Sequence, residues 1–202
     1  MLTTLPIIMT KNGQKLKSSF TRIEERLDFI TFDIEFHEHL NNSKVGTATC
    51  CIKEDHSEKT IRIHITSLDA EPIGKGVGTA MVYSIFRWTY FSYPGYELYF
   101  RGKLNTAFDE EYLIGFYTKV GFTVKNGYFN LIVQRNDIHI FCTDTENRVS
   151  DMYFAFMIKQ KDHYNNVLDN FQNDFQSTLS DIQTQFKTMS LVSFIKQRYF
   201  QR

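Results

Sequence analysis

The chain has 202 residues, 42% of them hydrophobic, which is enough for one domain with a closed core and an appendage but too few for two full domains. Lysine plus arginine and aspartate plus glutamate number 23 each, so the net charge is zero, which excludes a strong general attraction to nucleic acid or to an anionic membrane surface. Two adjacent cysteines, Cys50 and Cys51, and a remote Cys142 make neither a disulfide framework nor a metal-ligand spacing, so a cytoplasmic setting without a bound metal is expected.

Residues 1–26 begin without the basic start of a secretory leader and show no sustained periodicity, so a tail or reduced, loosely packed segment is expected there. Nowhere do roughly 18 apolar residues follow one another, so no membrane span is expected. In "ERLDFITFDIEFHEHL", 25–40, Leu27, Phe29, Thr31, Asp33 and Glu35 fall on one parity and Ile30, Phe32, Ile34 and Phe36 on the other, the alternation of a strand. After a turn at "NNSK", the runs "VGTATCCIKED" and "KTIRIHITSLD" predict two more strands and, with the first, an antiparallel meander. In the last of them Ile61, Ile63 and Ile65 face one way and Arg62, His64 and Thr66 the other.

Next comes "PIGKGVGTAMVYSIF", 72–86, with glycines at 74, 76 and 78, then apolar residues at helical spacing: Val77, Met81, Ile85 and Trp88. "YELYFRG" reads as a short strand, followed by the polar "KLNT". "DEEYLIGFYTKVGF", 109–122, has acids in its first turn, Lys119 in its last and Gly121 just beyond, the charge and cap pattern of a helix. Turn signals follow at Asn126-Gly127 and Asn136-Asp137, and "DMYFAFMIK", 151–159, alternates like a closing strand. From about Gln160 there is neither Gly nor Pro, and Leu168, Phe171, Phe175, Leu179, Ile182, Phe186 and Met189 recur at steps of three and four, so 161–202 is expected to be an amphipathic helical arm. Its apolar seam needs a cover: the domain itself, a second copy or another protein. The aromatic content of 15% is expected to fill a core.

A strand, a turn with three alternate glycines and an immediate helix can converge backbone N–H groups on a pyrophosphate at the helix's positive end. The same turn occurs in proteins that bind nothing. The missing Gly-Lys-Ser/Thr ending excludes a P-loop, and the spacing is not the dinucleotide Gly-x-Gly-x-x-Gly. The order of elements, together with two motifs, resembles the GCN5-related N-acetyltransferase superfamily over roughly residues 27–160. That family's Gln/Arg-x-x-Gly-x-Gly/Ala signature falls on 73–78, with Ile73 at the polar first position, and its Phe-Tyr-x-Lys-x-Gly-Phe motif is matched in full by Phe116, Tyr117, Lys119, Gly121 and Phe122. The two helices that commonly precede the meander in that superfamily are not evident.

The resemblance implies an α/β domain, a mixed, mostly antiparallel sheet flanked by helices with a C-terminal helical extension. It also implies an acyl-CoA-dependent N-acetyltransferase that passes acetyl from acetyl-CoA directly to an amine of a small molecule or protein. Ile73, Gly74, Lys75, Gly76, Val77, Gly78 and Thr79 would hold the cofactor's pyrophosphate, Thr66 and Leu68 its pantetheine and thioester carbonyl, and Asn105 a further cofactor contact. Tyr117 would protonate the departing thiolate. His64 would serve as base, as a histidine does in enzymes of the arylalkylamine type, whereas Arg62 stands where histone-type enzymes carry a glutamate. Glu35 and Glu38 are rivals for the base, and His37 with His39 would need a third ligand to hold a metal. A GNAT-derived binding protein that engages a partner, or a second copy, through its C-terminal helix is the alternative; a toxin-like acetyltransferase acting on aminoacyl-tRNA is disfavoured by the charge balance.

Overall fold

The computed structural model describes residues 7–199 apart from 11, 27 and 106. Eight strands, β1 (Ile8–Met9), β2 (Lys15–Arg26), β3 (Phe29–Glu38), β4 (Lys44–Asp55), β5 (Thr60–Ala70), β6 (Glu97–Lys103), β7 (Thr123–Lys125) and β8 (Tyr128–Val133), form one sheet. Its order is β1-β2-β3-β4-β5-β6-β8-β7. Every neighbouring pair is antiparallel except β5 and β6, which run parallel because α1 (Val77–Ser92) carries the chain from one to the other. The helix α2 (Glu110–Lys119) joins β6 to β7, and α3 spans Ile138–Tyr199. This is the mixed, mostly antiparallel topology that the resemblance implies.

The chain divides into two units, Met1–Met157 and Ile158–Arg202. In the first, alternate residues of the strands enter one core: Phe32, Ile34 and Phe36 from β3, Ile61, Ile63 and Ile65 from β5, and Leu98 and Phe100 from β6 are at most 2% exposed. From the helices, α1 contributes Val77, Met81, Ile85, Phe86 and Trp88, α2 contributes Tyr117, and the early turns of α3 contribute Phe141 and Met152 to the same cluster. Aromatic rings interlock there. Trp88 meets Phe32 at 4.8 Å, and Phe86 meets Phe100 at 4.8 Å, Phe141 at 5.1 Å and Phe122 at 5.6 Å between ring centroids. Glu146 of α3 ties the helices together, accepting from Arg87 Nε at 2.8 Å and from the Tyr90 hydroxyl.

The helices α1 and α2 and the part of α3 within the first unit thus pack on one side of the sheet. The intervening strand residues, among them Asp33, Glu35, His37, Thr49, Arg62, His64, Arg101 and Asn130, project from the other side, which is polar. Among the described residues no helix precedes α1, and Arg26 pairs with Phe29 where β2 turns directly into β3.

Two sequence expectations are corrected. Residues 15–26 are not a loose segment but a strand paired with β3 along its length, with Leu16 1% exposed. Its register shifts between Phe20 and Arg22, so an extra residue breaks the two-residue period and hides the strand from a pattern reading. Residues 151–159 are not a strand but part of α3. There Phe141, Thr145, Val149, Met152 and Phe156 form a half-buried to buried stripe at steps of three and four, while the alternating neighbours Tyr153 and Phe154 are exposed.

In the second unit, residues 158–199 are helical. Its described side chains are exposed apart from Gln160, and Leu168, Phe171, Phe175, Leu179 and Ile182 lie between 43% and 68% exposed. The side chains of Phe186 and Met189 lie outside the described residues.

Candidate functional site

The glycine turn forms the start of α1. Gly76 is the residue before the first helical position and has φ 83° and ψ 6°, a left-handed conformation that glycine alone adopts without penalty. Ala80 N–H is the first to bond back into the helix, reaching Gly76 O at 3.1 Å, so the N–H groups of Val77, Gly78 and Thr79 have no partner within it. No side chain caps this end and no acidic residue occupies the first turn. Such an end attracts an anion. The Val77 side chain is buried and anchors the turn, whereas Ile73 and Lys75 are exposed. A Cβ on Gly78 would lie 3.3 Å from Phe116 Cζ and 3.6 Å from Ala70 Cβ, so the helix start, the end of β5 and α2 meet at this point. Nothing lies within 4 Å of a Cβ built on Gly74.

Beside the turn the sheet opens. β5 and β6 pair only from Thr60 opposite Glu97 to Ile65 opposite Gly102. Beyond that, β5 continues to Ala70 paired with β4 alone, while Lys103 pairs with Tyr128 of β8 and Leu104 N–H donates to Gly127 O at 2.8 Å. Thr66 is the unpaired residue of a bulge, since Ile65 faces Cys50 and Ser67 faces Thr49. Glu71 N–H donates to Val45 O at 2.8 Å, toward β4; by the two-residue alternation of a strand, the backbone polar groups of Leu68 and Ala70 therefore point into the gap. They are free to pair with an extended ligand. Thr66 and Leu68, expected from the sequence, are both on this free edge.

Tyr117 lies on the helix side of the gap. Its ring stacks on Phe129 at 3.8 Å and 10°, and Phe116 and Phe122 meet it edge-on at 4.9 and 5.7 Å. It is 7% exposed, and its hydroxyl has no hydrogen-bond partner among the described residues. Burial, with a smaller contribution from the negative charge of Asp69, pushes its pKa up to about 12, so the phenol keeps its proton throughout the physiological range. Asp109 caps α2 by accepting from Tyr112 N–H at 3.1 Å, which fixes the helix carrying Tyr117.

His64 lies on the opposite, polar side, directly across from Arg101 of β6 and Cys51 of β4. It is half-buried, and burial, followed by the positive charge of Arg101, holds its pKa below the ordinary imidazole value. Near neutral pH it is therefore an uncharged proton acceptor. Its rivals are engaged elsewhere: Glu35 accepts from Lys44 at 2.8 Å and contacts His37 at 3.3 Å, and these partners lower its pKa, while Glu38 accepts from Asn41 at 2.9 Å. Asn105 follows β6 across the gap, but its side chain accepts from Ala107 N–H at 3.0 Å in its own turn. Among the described residues no group of three His, Cys, Asp or Glu could hold a metal, and no helix is long and apolar enough to cross a membrane.

The sequence reading missed Arg101, Lys125 and Asn130, which line a depression with His64 on the polar face. Their convergence comes from the register of β5, β6 and β8, which no local pattern announces.

No family model and no curated protein matches the chain. Among solved structures it is similar to Arabidopsis thaliana Naa50 in complex with the bisubstrate analogue CoA-Ac-MVNAL, at 18% identity and a TM-score of 0.37, over 50% of this chain and 70% of that one. It is similar to an aminoglycoside acetyltransferase from an uncultured soil metagenomic sample at 19% identity and a TM-score of 0.39, over 50% and 63%. A third likeness is to a mutant of the toxin AtaT bound to the C-terminus of the antitoxin AtaR and acetyl-CoA, at 15% and 0.39, over 56% and 72%. The chain thus spans between 63% and 72% of the length of these three proteins.

Proposed function

We propose that the chain is an N-acyltransferase of the GCN5-related superfamily that moves acetyl from acetyl-CoA to an amine in a ternary complex, within the cytoplasm. The observation that carries this reading is the junction of an uncapped helix start with a free strand edge. Val77, Gly78 and Thr79 offer three N–H groups without helical partners, and the backbone of Leu68 and Ala70 faces the adjoining gap. A pyrophosphate and an amide-bearing pantetheine arm are a chemical match for those two features in that order.

Bound acetyl-CoA would supply the acetyl group as a thioester. Gly76, Val77, Gly78 and Thr79 would hold its pyrophosphate, with Gly74 and Ile73 flanking and Lys75 adding a positive charge. Leu68 N–H would donate to the thioester oxygen, where negative charge develops during attack. His64, uncharged, would accept the proton that the acceptor amine loses as the acetyl group passes from sulfur to nitrogen, and Tyr117 would donate its proton to the departing sulfur. The gap between β5 and β6 is where side chains on opposite faces of the sheet can serve one reacting centre. Its roles divide by face: Tyr117 from the helix side and His64 from the polar side. Thiol release from acetyl-CoA over pools of amines and peptides tests the reading. Release that depends on an amine supports it, and binding of acetyl-CoA without release from any pool would leave a binding protein.

The exposed stripe of the second unit supports a further part of the proposal. Leu168, Phe175 and Ile182 recur at seven-residue intervals, with Tyr164 four residues before Leu168 and Phe171 four before Phe175, the spacing of a two-stranded helical seam. A second copy of the chain would cover it; a different protein is the alternative.

A further inference from the structure

The polar face of the sheet carries an open depression of about 610 Å³ lined by His64, Arg101, Lys125, Asn126, Tyr128 and Asn130. Three of these side chains are nitrogen bases and none is a carboxylate, in a chain with no net charge. Register explains the cluster. His64, Arg101 and Asn130 stand opposite one another on β5, β6 and β8 and form one row, and Lys125 faces Tyr128 in the next. Elsewhere on this face Glu35 pairs with Lys44, and Arg22 with Glu24. Arg101 and Lys125 are exposed and make no ion pair among the described residues. A guanidinium, an ammonium, two side-chain amides and a phenol facing one space are donors for a group with several negatively charged oxygens.

Resting on the acyltransferase reading above, we propose that this depression anchors the acceptor, and that the acceptor is an amine bearing a carboxylate or phosphate group. Arg101 and Lys125 hold that group, and the amine lies beside His64. The arrangement also couples binding to basicity. His64 is flanked by Arg62 on its own strand, Cys51 on β4 and Arg101 on β6, with Lys125 and Tyr128 across the depression. An anion on Arg101 offsets the positive charge that disfavours the imidazolium, so the base gains proton affinity only when an acceptor is present.

Two measurements test this on the full chain. The first compares thiol release for γ-aminobutyrate against its methyl ester and for phosphoethanolamine against ethanolamine, which separates carboxylate from phosphate as the recognised group. The expected result is a kcat/KM at least about tenfold higher for the anionic member of a pair, abolished in Arg101→Gln/Lys125→Gln, with acetyl-CoA affinity retained as the check on folding. The second follows the His64 imidazole by NMR with inorganic phosphate as the probe. Its titration midpoint should rise in the unaltered chain and stay fixed in the double variant. Equal rates for charged and neutral amines would overturn the inference while leaving the acyltransferase reading intact, and an unmoved midpoint would overturn it too. No release from any amine, with a midpoint that phosphate raises, would instead remove the acyltransferase reading and leave the anion site standing.

Discussion

Replacing Tyr117 by phenylalanine separates chemistry from packing at one position. The ring is 7% exposed and stacked on Phe129 at 3.8 Å, whereas the hydroxyl has no hydrogen-bond partner among the described residues. Removing the oxygen therefore leaves every ring contact in place and strands no buried partner, so stability should change by less than about 1 kcal/mol. Tyr117→Ala, by contrast, would empty a ring-sized space and cost about 3–5 kcal/mol. With its pKa near 12, the phenol is almost wholly protonated at pH 8, so it can donate across the working range. Loss of a positioned acid lowers kcat by about 10²-fold, or about 2.7 kcal/mol of barrier. The assay is thiol release at saturating acetyl-CoA with the best amine of a panel, accompanied by a pre-steady-state trace. A Phe variant with unchanged kcat and no burst, meaning that chemistry limits the rate, would refute the assignment and leave Tyr117 a packing residue.

Other expectations follow from the same geometry. Gly76→Glu and Gly78→Glu each put bulk and negative charge at the helix start, and differential scanning fluorimetry should show that acetyl-CoA no longer raises Tm in either variant. Because burial and Arg101 lower the His64 pKa, the acid limb of kcat/KM should lie below about pH 6.5; removing a nearby cation favours the imidazolium, so Arg101→Gln should move the limb up, and His64→Ala should abolish it. A Cβ on Gly102 would stand 2.0 Å from Phe129 Cζ and 2.6 Å from the Ile65 carbonyl oxygen, so Gly102→Ala should cost about 1–3 kcal/mol in chemical denaturation. Glutamates in place of Phe175 and Ile182 should convert a dimer to a monomer in light scattering, and a monomeric mass for the unaltered chain would reject the seam.

Local signals were strongest where backbone conformation or capping requires a particular residue. Gly76 at positive φ marks the start of α1, Asp109 caps α2, and Asn126-Gly127 forms the β7–β8 turn, and each was readable in the sequence. The central strands were legible because Ile61, Ile63 and Ile65 keep an unbroken alternation beside a fully buried core. β2 was missed because its bulge breaks that alternation, and the 151–159 segment was misread because a short apolar run satisfies a two-residue and a helical period alike. The candidate site divides in the same way. In its backbone half the glycine turn is a local signal, whereas the free edge of β5, like Tyr117, was singled out only through the family resemblance. The cationic half was not anticipated, because Arg101, Lys125 and Asn130 are isolated polar residues until three strands bring them beside His64.

The central claim is that the helix start and the open strand edge form an acyl-CoA site. Calorimetric titration of the full chain with acetyl-CoA, repeated with the Gly76→Glu variant, tests it most directly. Saturable binding of one acetyl-CoA per chain, lost in the folded variant, is the expected result. Binding of equal strength in both chains, or no heat of binding up to millimolar acetyl-CoA, would contradict it.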